Sequence, residues 1–342
     1  MTTKVLTVTA AAAASSPKTS MKQEPLVKVL PFNDIPASDL KALCHPLVDA
    51  VTKEVDDYFL QHWPFPDARS RKRFVNAGFS RVTCLYFPMA LDDRIHFACR
   101  LLTVLFLIDA DQTDVLEYMS LADGEAYNAH LMPLMRGDVL PDRTVPVEYI
   151  LYDLWESMRA HDLEMANDIL EPVFVFMRAQ TDKARTKKMG LKDYLEYRER
   201  DVGKGLLAAL MRFSMGLSMS PEDLEIAQPA DMNCSKHLSV INDIWSYEKE
   251  LLASQKAHEE GGVLCTGVAT FADEADLSVD AAKRVLYWLC REWEMRHAEL
   301  VREILARRDT PELRQYLKGL EYQMSGNEFW SRTTLRYLAP TE

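Results

Sequence analysis

The chain has 342 residues, 48% of them hydrophobic and 27% charged, with a net charge of −12 at pH 7. That balance describes a folded globular protein rather than a disordered one. The excess of acid argues against nucleic acid or an anionic membrane surface as the main partner, so an anionic substrate would need metal or local basic side chains to hold it. Only 12 glycines among long proline-free runs rich in Leu, Ala, Met and Glu predict a mostly helical chain. No window reaches the roughly 18 apolar residues of a membrane span. The six cysteines are scattered without a CxxC pair and read as reduced core residues of a cytoplasmic protein, neither a disulfide framework nor a zinc site.

Residues 1–38, rich in Ala, Thr, Ser and Lys, are expected to be a disordered tail. The first helical pattern follows, with Leu47, Val51, Val55, Phe59 and Trp63 at spacing four, ended by Pro64 and Pro66. A second runs from Arg69 to Cys84. Asp92 and Asp93 then open a long helix through Ile95, Cys99, Leu102, Phe106 and Asp109, and are expected to cap its free amides. At its far end Asp109, Asp111, Asp114 and Glu117 fall within nine residues. Clustered carboxylates repel one another unless a cation sits among them, so the stretch is either a solvated loop or a metal site. Helices are next predicted over Tyr149–Ala160, Asp162–Thr181 and Leu191–Gly216, then over Asp231–Glu260 with Pro229 before it and Gly261-Gly262 after it. Val279–Ala306, with Ser278 as N-cap, and Tyr322–Tyr337 complete the set. With no repeat, linker or alternating strand pattern, residues 39–342 are expected to form one all-α domain, a helical bundle.

Within the helix Asp231–Glu260, Asn242, Ser246 and Glu250 recur every four residues. Each step of four turns an α-helix only about 40° beyond a full circle, so the three side chains share one face. An amide oxygen, a hydroxyl and a carboxylate are hard donors suited to Mg²⁺ rather than zinc. A polar stripe on a solvated helix would show the same spacing. Leu238, Ile241 and Trp245 run beside it, so the polar face borders the core.

An aspartate-rich stretch ending one helix and N-D-x-x-S-x-x-x-E on a later one together resemble the double signature of class I terpene cyclases. The segments Cys84–Phe97, Leu151–Asp162 and Gly319–Glu328 are similar to fungal sesquiterpene cyclases, and the resemblance spans essentially everything after residue 40. It implies a class I terpenoid synthase fold and cyclisation of farnesyl diphosphate with Mg²⁺, three ions in all. The course would be ring closure, reprotonation, a second closure, hydride and methyl shifts and a final deprotonation. Asn242, Ser246 and Glu250 would hold one ion, and Asp109, assisted by Asp114 or Glu117, the others. Arg198, Lys249, Arg336 and Tyr337 would bind the diphosphate, while Tyr86, Phe106, Phe176 and Trp330 would contour the cavity. The resemblance implies no nucleic-acid or membrane partner and leaves a homodimer open. One departure stands out: the family has two adjacent aspartates where four extra residues separate Asp109 from Asp114. An added loop after Asp109 is the expected accommodation, because insertions at a helix end disturb least. Two competing readings are a chain-elongating prenyltransferase, disfavoured by the absence of a second DDxxD, and a diphosphate-binding relic without turnover.

Overall fold

A computed structural model describes residues 35–109, 119–256 and 263–337, and among these there are thirteen α-helices and no strand. Thus the all-α bundle expected from composition is what forms. The first helix, α1 (Val48–His62), buries Val51, Val55 and Phe59, the stripe its spacing predicts. The pattern that follows divides into α2 (Ala68–Ala77) and α3 (Phe79–Tyr86), because Gly78 takes a left-handed conformation (φ 67°) between them. A single helix over Arg69–Cys84 is therefore corrected to a bent pair. Asp67 caps α2 by accepting from the Ser70 amide at 2.7 Å.

Helix α4 (Ile95–Asp109) is apolar almost all round, as befits a helix at the centre of a bundle. Asp92 and Asp93 stand in the turn before it rather than in its first turn, 3.6 Å from His45 and 3.5 Å from His161 respectively. Helices α5 (Leu121–Arg136), α6 (Pro146–His161) and α7 (Leu163–Gln180) follow; the first was not anticipated, and Asp162 caps the last. The predicted helix Leu191–Gly216 is again two, α8 (Leu191–Asp201) and α9 (Lys204–Met215), broken at Gly203 with φ 71°.

The longest helix, α10 (Pro221–Lys256), starts a full ten residues earlier than Pro229 suggests, and Pro229 lies inside it. Pro221 takes the first helical position, and the Ser220 hydroxyl accepts from the Asp223 amide at 3.1 Å. The short α11 (Gly267–Glu274) went unpredicted. The long α12 (Val279–Arg307) has the expected Ser278 cap, and α13 (Pro311–Thr333) leads into a 3₁₀ turn at Leu335–Tyr337. Helix α10 packs against both α12 and α13, and its middle is largely buried, with Val240, Ile241, Asp243 and Ile244 all fully enclosed. Gly326 permits a close backbone contact: a Cβ there would lie 2.4 Å from the Leu85 carbonyl oxygen, so α13 rests directly on α3.

All six cysteines are free, as their scatter predicts. Among the described residues, no helix is long and apolar enough to cross a membrane.

Candidate active site

Helices α3, α4, α7, α8, α9, α10 and α13 enclose a cavity of about 200 Å³. Tyr86, Phe106, Phe176 and Trp330 all face it, joined by Leu102, Leu105, Leu206 and Leu207, so much of its wall is aromatic and aliphatic. The same space is also lined by the polar residues Asn242, Glu250, Lys249, Arg198, Arg336 and Tyr337. Residues scattered over 250 positions of sequence thus converge on one space.

The aromatic walls are held from behind. The Tyr86 hydroxyl donates to Asn327 Oδ1 at 2.8 Å, and the Asn327 amide donates onward to the Leu238 carbonyl at 3.1 Å. The Trp330 indole N–H donates to the Ala77 carbonyl at 3.3 Å, and its ring meets Tyr337 edge-on at 5.3 Å between centroids. Phe106 stacks on Phe79 at 4.8 Å, and the Arg336 guanidinium lies 5.4 Å and 5.3 Å from these two rings. Phe176 is seated on Gly203, where a Cβ would come within 3.1 Å of its ring. The glycine that breaks α8 from α9 is therefore also the floor of an aromatic wall.

Among the polar residues Asn242 is bonded on both sides of its amide. Its oxygen accepts from Arg198 Nη2 at 2.9 Å, and its nitrogen donates to the Tyr337 hydroxyl at 2.6 Å. Arg198 also pairs with Asp201, one helical turn on, and lies 3.3 Å from Asp243. Burial opposes the charge of Arg198, but Asp201, Asp243 and Glu250, with the Tyr194 hydroxyl, keep it firmly protonated. Burial pushes Asp243 up to about 6, and it pushes the Cys265 thiol on the cavity wall up to about 12.

Ser246 is buried beneath the rim rather than on the cavity surface. Its hydroxyl oxygen lies 2.8 Å from the Asn242 carbonyl and 2.6 Å from Glu250 Oε1. One hydroxyl proton can serve only one of these acceptors, so donation to the carbonyl leaves two bare oxygens facing each other, an arrangement a cation relieves. Adjacent ligand oxygens of octahedral Mg²⁺, at 2.0–2.1 Å from the ion, lie about 3 Å apart. The Ser246 and Glu250 oxygens on this face of α10 therefore stand close enough together to share a small hard cation.

Asp109 ends α4 as expected, whereas Asp114, Glu117 and the four extra residues lie outside the described residues. Several lining residues were missed from sequence: Gln180, Arg185, Asp201, Cys265 and Asn327. Asp201 had a signal, since it stands three residues after Arg198 on one helix face. So did Gln180, four residues after Phe176, and Asn327, three before Trp330; Arg185 and Cys265 had none.

This geometry, a cavity of mixed apolar and polar lining inside an all-helical bundle, has relatives. Residues 100–296 match the family model for terpene synthase family 2, C-terminal metal binding. The chain belongs to the terpene synthase family, whose cyclases are lyases acting on diphosphates.

Within that family it is similar to the aristolochene synthase of Aspergillus terreus, with 69% identity over 303 residues, covering 88% of this chain and 93% of the relative. It is likewise 67% identical over 304 residues to the (+)-aristolochene synthase of Penicillium expansum, covering 89% of this chain and 91% of that one. The crystal structure of the Penicillium roqueforti aristolochene synthase superposes with a TM-score of 0.78 at 59% identity, covering 88% of this chain and 99% of that one.

Proposed function

We propose that the protein converts farnesyl diphosphate to aristolochene and diphosphate. The observation that carries this reading is the mixed lining of the cavity: hydrogen-bonded Asn242, the cations Arg198, Lys249 and Arg336, and Tyr337 share one space with aromatic and aliphatic walls. A substrate with an anionic head and a C15 hydrocarbon tail matches both kinds of lining.

In this reading Asn242, Ser246 and Glu250 hold one Mg²⁺, and Asp109, with Asp114 or Glu117, the other two. Bound there, Mg²⁺ supplies positive charge to the departing diphosphate. Arg198, Lys249 and Arg336 add fixed cationic donors, and the Tyr337 hydroxyl orients Asn242. The enclosed walls keep water from the allylic cation. Tyr86, Phe106, Phe176 and Trp330 present π faces worth roughly 0.5–2 kcal/mol each to a passing cation. About 1.4 kcal/mol is tenfold in rate, so each ring can decide between branches of the cascade.

Incubation with farnesyl diphosphate, with and without isopentenyl diphosphate, separates this reading from chain elongation. A hydrocarbon product unaffected by isopentenyl diphosphate is expected; a longer diphosphate would overturn the proposal, and binding without turnover would mark a relic.

A further inference from the structure

We propose that Asp243 is a positioning residue that aims Arg198 at a diphosphate in the cavity and anchors the wall at Val263–Cys265; the proposal rests on the reading of Arg198 as a diphosphate donor. Asp243 neighbours Asn242 on α10 but turns away from the cavity and is fully buried. Three elements meet at its carboxylate. Oδ2 accepts from the Tyr194 hydroxyl of α8 at 2.6 Å and from the Gly267 amide at the start of α11 at 2.8 Å, while Oδ1 faces Arg198 Nη2 at 3.3 Å.

The approach of Gly267 is possible only without a side chain, since a Cβ would stand 2.9 Å from Asp243 Oδ2 and 3.0 Å from the Tyr194 ring. Gly267 directly follows Thr266 and the cavity-lining run Val263, Leu264 and Cys265, so its bond fixes the end of that wall.

Arg198 is held between two buried carboxylates from different helices, each backed by a tyrosine of α8. Asp201 accepts from Tyr197 at 2.9 Å, and Asp243 accepts from Tyr194. Two anchors fix the direction of a planar guanidinium where one would leave it free to swing. Nη1 is held by Asp201, and Nη2, facing Asp243, is thereby set to donate to Asn242 at the cavity wall.

Asp243→Asn tests this. Tyr194 and Gly267 both donate, so they hold the amide oxygen on their side, and the amide N–H₂ then opposes the donors of Arg198. The inhibition constant of inorganic diphosphate with Mg²⁺ is expected to rise about tenfold and kcat on farnesyl diphosphate to fall at least as far, with the helical circular-dichroism signal retained. In an Arg198→Gln background, adding Asp243→Asn should change the inhibition constant no further. Multiplying losses in the double variant, or an unchanged inhibition constant in Asp243→Asn while Arg198→Gln weakens it, would overturn the proposal alone. An unchanged constant in Arg198→Gln would remove the reading of Arg198 and the proposal with it. If Asp243→Asn does not fold, Tyr194→Phe decides: a several-fold loss that vanishes in the Arg198→Gln background supports the proposal, and no loss contradicts it.

Discussion

Asn242 meets two demands at once, since its amide oxygen faces Arg198 and its nitrogen faces Tyr337. Replacing it with leucine keeps approximate volume but removes the oxygen proposed to bind metal and leaves a guanidinium edge and a hydroxyl without their partner. Turnover of Asn242→Leu is expected to fall by roughly 10²-fold or more, with stability lowered by about 1–3 kcal/mol and the helical signal intact. Wild-type rates would mean that the Asn242 face of α10 is only a polar stripe. A second residue-scale prediction lies far from the site. Burial and the neighbouring Asp57 push Asp56 on α1 up to about 7 from 3.8. The folded state therefore keeps this proton through a range in which the unfolded chain releases it. The group's contribution to stability is full below pH 4 and is lost as pH rises to about 7. Asp56→Asn should raise the melting temperature at pH 8, by the equivalent of about 1 kcal/mol after solvent screening; the gain should vanish at pH 4, which a pair of thermal melts checks.

Among the elements, α4 and the α8–α9 junction carry the sharpest consequences. Phe176→Ala or Trp330→Ala should enlarge the cavity, remove a cation-facing ring and divert product toward earlier olefins. Unchanged product profiles in both would leave these rings as ordinary packing. Trp330 is fully buried and Phe176 only partly, so the stability loss, about 3–5 kcal/mol for a buried aromatic, should be larger at Trp330. At the end of α4, deleting residues 110–113 restores the family spacing, so that variant should be at least as active as the full chain. Asp109→Asn should inactivate both forms. Full activity of Asp109→Asn alongside loss in Asp114→Asn would mean that the ligands must be counted back from Glu117.

Helix existence was legible wherever a single apolar stripe decides it, as in α1 and α12. It was not legible where a glycine takes a positive φ: Gly78 and Gly203 each divide one continuous apolar pattern into two helices. Pro229 misled in the opposite sense, because the surroundings of α10 tolerate a lost backbone bond that an isolated helix would not.

At the scale of the whole molecule, the cavity is assembled from segments between Tyr86 and Tyr337, and only the resemblance placed them together in advance. Spacing alone put Asn242, Ser246 and Glu250 on one helix face, since that needs no tertiary information. Arg198, Lys249, Arg336 and Tyr337 came from the resemblance, and Asp243 was passed over because its partners, Tyr194 and Gly267, lie on other helices. The central claim is that this convergence ionises farnesyl diphosphate in a Mg²⁺-dependent way and folds the cation to a bicyclic hydrocarbon. The most direct measurement is gas chromatography–mass spectrometry of extracts from farnesyl diphosphate incubated with the full chain, in Mg²⁺ and in excess chelator. Aristolochene as the main product with Mg²⁺, and none with chelator, is the predicted result. Full turnover in chelator, or no hydrocarbon with Mg²⁺ present, would contradict it.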